Sequence, residues 1–139
     1  MKTNRKRSVR TVKTVQNESK VTHSSAPIRL ELLITIVEKN KAEYYSDLIQ
    51  SYEVNFQFQT SARGTAMTEI LDYLGLADTE KTAIFSIVRE DKLDEITYAL
   101  DTRFRKVRGG KGVAVSVPLT SMIGKAVYAF LCNATDTVQ

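Results

Sequence analysis

The chain of 139 residues contains one cysteine, Cys132, and one histidine, His23. A single cysteine excludes an intrachain disulfide framework and any multi-cysteine zinc or iron–sulfur site within one chain. A single histidine excludes a His-cluster metal site and leaves a Ser–His–Asp or Cys–His arrangement only one imidazole. The longest unbroken apolar run, Ala126 to Cys132, has seven residues, against about 20 for a membrane-spanning helix. Neither a Gly-x-x-x-x-Gly-Lys-Ser/Thr phosphate loop nor a Gly-x-Gly-x-x-Gly fingerprint is present. No nucleophile–base pair emerges from the body of the chain, so the sequence argues against an enzyme. What remains is 42% apolar and 26% charged residues, ordinary for a soluble globular protein and about one domain's worth of chain.

The charge is unevenly placed. Residues 1–27 carry seven basic groups (Lys2, Arg5, Lys6, Arg7, Arg10, Lys13 and Lys20) and one acid, Glu18, for a net +6, whereas residues 28–139 carry a net −2. The first 27 residues have too few apolar groups to build a core and read as a disordered basic extension. No apolar segment follows the basic stretch, as a secretory signal would require. The same composition suits an organelle presequence, or an arm for nucleic acid or another acidic surface, since clustered Lys and Arg release counterions from phosphate backbones. The cytoplasm is the default compartment.

From residue 28 to 132 the chain reads as one domain, with 133–139 as a C-terminal tail. Ile28 to Val37 alternates as a strand, with Ile28, Leu30, Leu32, Ile34 and Ile36 on one face. Asn40 and Glu43 have the spacing of a capping box and open a helix carrying Tyr44, Tyr45, Leu48, Ile49 and Tyr52. Glu53 to Ala62 returns to period two, with Val54, Phe56 and Phe58 alternating like core residues and Asn55, Gln57 and Gln59 forming a face that is wet or against a polar partner. After the break at Arg63-Gly64-Thr65, an irregular excursion holds a short helix from about Met67 to Leu74, closed by Gly75. Thr82 to Val88 is a strand. Asp91 caps a second helix whose stripe is Leu93, Ile96, Leu100 and Phe104. Val113 to Val117 is a fourth strand stopped by Pro118, and Ala126 to Cys132 reads as a fifth strand or docking segment. The order β-α-β-β-α-β is that of an α+β, ferredoxin-like two-layer sandwich. Its helix-free sheet face carries apolar groups, which predicts self-association.

Between Arg103 and Lys111 lie Arg103, Arg105, Lys106, Arg108 and Lys111, with glycines at 109, 110 and 112 and no acid. Such glycines let backbone N–H groups turn toward an anion, and the cations supply charge-assisted bonds to phosphate oxygens. The same residues would equally serve a plain turn after a helix whose last-turn cations complement its dipole. Arg63-Gly64-Thr65 could hold a phosphate, or Thr65 could cap the helix that follows. The acids Glu90, Asp91, Asp94 and Glu95 fall in the first turn of a helix, where the dipole favours them.

The run Gly110-Lys111-Gly112-Val113-Ala114-Val115-Ser116-Val117-Pro118-Leu119 resembles, without a gap, the Gly-x-Gly-Lys-Ile-Phe-Val-x-Pro-Val signature of the PII nitrogen-regulatory signal-transduction family. The order of elements and the long excursion after the second strand, the place of that family's T-loop, agree over residues 28 to about 125. The resemblance implies a non-enzymatic homotrimer with sheets packed about a three-fold axis. It implies an effector such as ADP, AMP, ATP or a cyclic nucleotide bound between subunits, with no tightly held cofactor. It also implies a signal passed through residues 63–81 to a protein partner: a transporter, an enzyme or a transcription regulator. The resemblance sets Gly110 and Gly112 on the family's two effector-loop glycines and Arg63-Gly64-Thr65 at the base of its T-loop; with the basic loop's own charge, the expected effector residues are Arg63, Gly64, Thr65, Arg108, Gly109, Gly110, Lys111 and Gly112. Val113 stands where the family has its phosphate-contacting Lys, and Lys111 where an Asp is usual. The other function open to such a fold is a nucleic-acid-associated module that uses the basic extension.

Overall fold

Alternation in the two central strands sets the architecture. In β1 (Leu30–Glu38) Leu33, Thr35 and Val37 are buried while Leu32, Ile34 and Ile36 are only half-buried; β3 (Lys81–Arg89) repeats the pattern, with Ile84, Ser86 and Val88 inside. Successive strand side chains point to opposite faces, so each of these strands is covered more fully on one side than on the other. The computed structural model describes residues 27–63, 70, 73, 80–106 and 111–134.

The other elements with both ends among the described residues are a 3-10 turn at Lys39–Lys41, α1 (Ala42–Gln50), β2 (Phe56–Ala62), α2 (Glu90–Lys106), β4 (Gly112–Pro118) and α3 (Lys125–Leu131). The four strands form one antiparallel sheet in the order β2-β3-β1-β4. On one face α1 and α2 pack through Ala42, Tyr45, Ile49, Ile96 and Leu100 against Leu33, Val37, Ile84 and Val88, with Leu93 and Phe104 at the margin. The α+β ferredoxin-like order therefore holds, and the helix stripe at 93, 96, 100 and 104 is the face that packs.

Four local expectations are corrected. No side-chain cap precedes α1; a 3-10 turn leads into it with Lys41 at the cap position, so Asn40 and Glu43 make no capping box. Helix α2 begins at Glu90, and Asp91, rather than capping it, accepts two hydrogen bonds from Arg89 at 2.9 and 2.6 Å. Of the two readings of Ala126–Cys132 the strand fails and the docking segment holds: Lys125–Leu131 is helical, and its Leu131 and the following Cys132 close over Leu30. The seven-residue apolar run could not distinguish a buried strand from a short helix, since periodicity is mute where every position is apolar.

The fourth correction concerns β2. Its register with β3 places Gln57 opposite Ser86 and Gln59 opposite Ile84, on the helix-covered face. There Gln57 Nε2 donates to Ser86 Oγ at 3.1 Å and Gln59 Nε2 to Ser46 Oγ of α1 at 2.6 Å. Phe56 and Phe58 face the other way and are about half exposed (45% and 49%). The glutamine amides meet the polar partner that the alternation allowed for, with Gln57 half-buried and Gln59 still exposed. The phenylalanines line the open face with Phe85, whose ring stacks on Phe58 at 4.8 Å.

Candidate functional site

The strand registers bring four strand ends into one row. Ala62 pairs with Lys81, Lys81 with Glu38, and Val37 with Gly112, so the end of β2, the start of β3, the end of β1 and the start of β4 share one end of the sheet. Of the residues singled out from the sequence, Arg63 leaves β2 here, and Lys111 and Gly112 lead into β4 here; Arg63 and Lys111 are both exposed. Gly64, Thr65, Arg108, Gly109 and Gly110 lie outside the described residues, as does most of the excursion 64–79. Within it Ile70 and Tyr73 are helical and exposed, and the rest of the short helix read at 67–74 lies outside the described residues.

Within one chain Arg63 and Lys111 stand at opposite edges of the sheet. They flank β2 and β4, the two edge strands, separated by three inter-strand steps of about 4.8 Å each, or about 14 Å. Gly112 has a structural reason to be glycine: a Cβ would come within 2.7 Å of the Phe104 ring and 2.9 Å of the Ile36 carbonyl oxygen. Val113 pairs with Ile36 and so shares the open apolar face, with no cation at that position.

The same end holds groups that the linear sequence did not disclose. Lys39 Nζ donates to Glu80 Oε2 at 2.7 Å, and Lys39 N to Glu80 O at 2.9 Å, tying the β1–α1 turn to the residue before β3. That hydrogen bond and the ammonium charge hold the Glu80 carboxyl below its ordinary value. Glu38, Lys39, Asn40 and Glu80 line a concavity of about 440 Å³. Arg103 Nε donates to the Tyr44 hydroxyl at 2.8 Å, joining the end of α2 to the start of α1. Tyr45 beneath is pushed to a higher pKa, chiefly by burial. Lys81 is buried at the start of β3. The signal for these pairings is the strand register, which no local pattern of residues encodes.

A second groove, of about 500 Å³, opens at the opposite end between Ile28, Leu30, Leu119, Met122 and Tyr128. Tyr128 donates its hydroxyl to Ile28 O at 2.6 Å, and loss of solvation raises its pKa. Among the described residues no group of His, Cys, Asp and Glu could hold a metal ion, and no helix is long and apolar enough to cross a membrane. The acids of the first turn of α2 serve the fold: Asp91 is held by Arg89, and Glu90 lies 3.8 Å from Arg29.

No family model matches the chain, and no curated protein matches it. Solved structures do. CPII from Thiomonas intermedia bound to ADP, AMP and acetate superposes with a TM-score of 0.56 at 16% identity, over 72% of this chain and 93% of that one. The apo form of CPII, a nitrogen regulatory PII-like protein, gives 0.52 at 17% identity over 66% and 89%. A candidate PII-like signaling protein from Thermus thermophilus gives 0.51 at 14% identity over 66% and 87%. The fold is that of the PII-like proteins.

Proposed function

We propose that this chain is a divergent PII-like regulator without enzymatic activity, assembled as a homotrimer through its open sheet face. It binds an adenine nucleotide between subunits. The observation that carries this reading is the placement of Arg63 and Lys111 at one end of the sheet but on opposite edges. A ring of copies turns the β2 edge of one toward the β4 edge of the next, which gathers both cations around one anion. Arg63, Gly64 and Thr65 would then come from one copy, and Arg108, Gly109, Gly110, Lys111 and Gly112 from its neighbour. CPII, which shares the fold, is known with ADP and AMP bound, and this supports a nucleotide as the guest.

With Val113 on the apolar face, the cation that the resemblance sets against the phosphates is missing at that position. This favours ADP, AMP or a cyclic nucleotide over ATP. The effector biases residues 63–81 only through its differential affinity for their two arrangements, and those residues present the outcome to a protein partner in the cytoplasm. The Lys39–Glu80 pair anchors the far side of that segment.

The test is thermal unfolding of the full chain against ATP, ADP, AMP, cyclic AMP and cyclic dinucleotides, with and without Mg²⁺. A ligand at 100 times its dissociation constant stabilises by about 2.7 kcal/mol per site, a shift of several degrees for a domain of this size. A selective shift that disappears in Arg63→Ala and in Lys111→Ala supports the reading, and no shift with any nucleotide overturns it. A second reading takes Phe56, Phe58 and Phe85 on the open face as a stacking platform for single-stranded nucleic acid, with the basic extension supplying charge for the phosphates. It requires a monomer in solution and binding that weakens steeply with salt.

A further inference from the structure

We infer that the groove between the start of β1 and the turn after β4 is a binding site for an amphipathic carboxylate, an acyl or aryl chain ending in a single negative group. The groove lies at the end of the sheet away from Arg63 and Lys111, so the site stands whether or not the chain binds a nucleotide. Its volume of about 500 Å³ falls within the usual range for small-molecule pockets, about 300–1,000 Å³.

The walls dictate the body of the ligand. Ile28, Leu30, Leu119, Met122 and the Tyr128 ring present apolar surface, and the polar groups between them are bonded to one another. Leu119 N donates to Leu30 O at 3.0 Å, and the Tyr128 hydroxyl donates to Ile28 O at 2.6 Å. A sugar or a base entering there would give up its water for partners that are already taken, whereas a hydrocarbon chain has no such cost. The turn that closes the groove is braced: Gly124 holds φ +108°, which L side chains rarely adopt, and its carbonyl accepts the Tyr128 N–H at 3.0 Å.

The mouth dictates the head group. The described residues of the lining include two exposed cations, Arg29 and Lys125, and no acid. Arg29 stands 3.8 Å from Glu90, outside the groove. Lys125 has no ion pair or side-chain hydrogen bond among the described residues. Thr120 and Ser121, also exposed, bring two hydroxyls to the same lining. One unpaired ammonium and two hydroxyl donors beside an apolar trough match one carboxylate, in charge and in hydrogen bonds to its two oxygens. A phosphate monoester, with about two charges at neutral pH, would find a single unpaired cation.

Isothermal titration calorimetry of the full chain with octanoate, octanol and octylammonium tests the site, since the probes share a chain and differ in head group. The Met122 methyl resonance reports where each probe sits. Octanoate is expected to bind about tenfold more tightly than octanol and to shift that resonance, with no binding of octylammonium. Lys125→Met is expected to weaken octanoate about tenfold and to leave octanol unchanged. The Lys125 side chain is exposed and unbonded, so the variant keeps the fold, which circular dichroism checks. Lys125→Glu gives an independent decision, with the preference expected to pass to octylammonium. Equal affinity for the three head groups, or wild-type octanoate binding in Lys125→Met, overturns the site. Octanoate binding that leaves Met122 unshifted, or no octanoate binding at all, overturns it as well.

Discussion

Thr35 is wholly buried on β1, beneath the helices and between β3 and β4, and its hydroxyl is the one buried side-chain polar atom without a hydrogen-bond partner among the described residues. An unmet buried hydroxyl costs more than it returns, and valine has nearly the same shape without the polar atom. Thr35→Val is expected to raise stability by about 1 kcal/mol, read as a higher urea midpoint with an unchanged slope. A lower midpoint would show that the hydroxyl is satisfied in solution. Gly112 makes the opposite case. Its missing Cβ admits the Phe104 ring and the Ile36 carbonyl, and the carbonyl, being backbone of the central strand, cannot give way. Gly112→Ala is therefore expected to lower stability by about 1–3 kcal/mol. The same urea experiment checks it, and a midpoint within error of wild type would mean that β4 can shift away from β1.

At the level of elements, the join between β3 and α2 depends on one guanidinium. Arg89 donates to both Asp91 oxygens, and its Nη1 reaches the Cys132 carbonyl at 3.3 Å, linking the start of α2 to the end of α3. The hydrogen bond from Arg89 holds the Asp91 carboxyl below its ordinary value. A carboxylate with a depressed folded pKa contributes its stability in full above its unfolded pKa and loses it as pH falls through the folded value. Asp91→Asn is expected to flatten the acid limb of the stability curve below about pH 4, the group being surface-exposed and the effect correspondingly small. Urea midpoints of both proteins across the acid range, from near neutrality to well below that pH, would check it, and parallel acid limbs would show that Asp91 is not the titrating group. The elements also show what the sequence could disclose. Strands β1 and β3 were legible because their alternation is carried by residues of contrasting size and polarity, and α2 because its stripe repeats over three turns. In strand β2 the glutamine face was read as wet or against a polar partner, and Ser46 and Ser86 are that partner; Phe56 and Phe58, read as core-like, line the open face instead. The partner hydroxyls are 13 and 29 residues away in sequence, so no local window contains them.

For the molecule as a whole, assembly and effector binding are expected to be one equilibrium. The glycine loop and the break after β2 were both visible as motifs, yet the separation of Arg63 from Lys111 was not, because only the order β2-β3-β1-β4 places the strands they flank on opposite edges. If the site forms across two copies, anything that separates the copies abolishes it without touching a single contact residue. Val115 is suited to that purpose: it is half exposed on the open face, in an edge strand, and pairs with Ile34 well away from Arg63 and Lys111. A carboxylate there stays hydrated in an isolated chain, but in the assembly it would be buried against apolar surface without a partner, at a cost of several kcal/mol. Val115→Asp is therefore expected to give a folded monomer with wild-type circular dichroism and no thermal shift with the nucleotide that stabilises the wild type. In the wild type the nucleotide should in turn strengthen association by the same factor as association strengthens nucleotide binding, since the coupling is reciprocal. Sedimentation with and without the nucleotide measures that factor directly. A monomeric Val115→Asp that keeps the full thermal shift would place the whole site inside one chain.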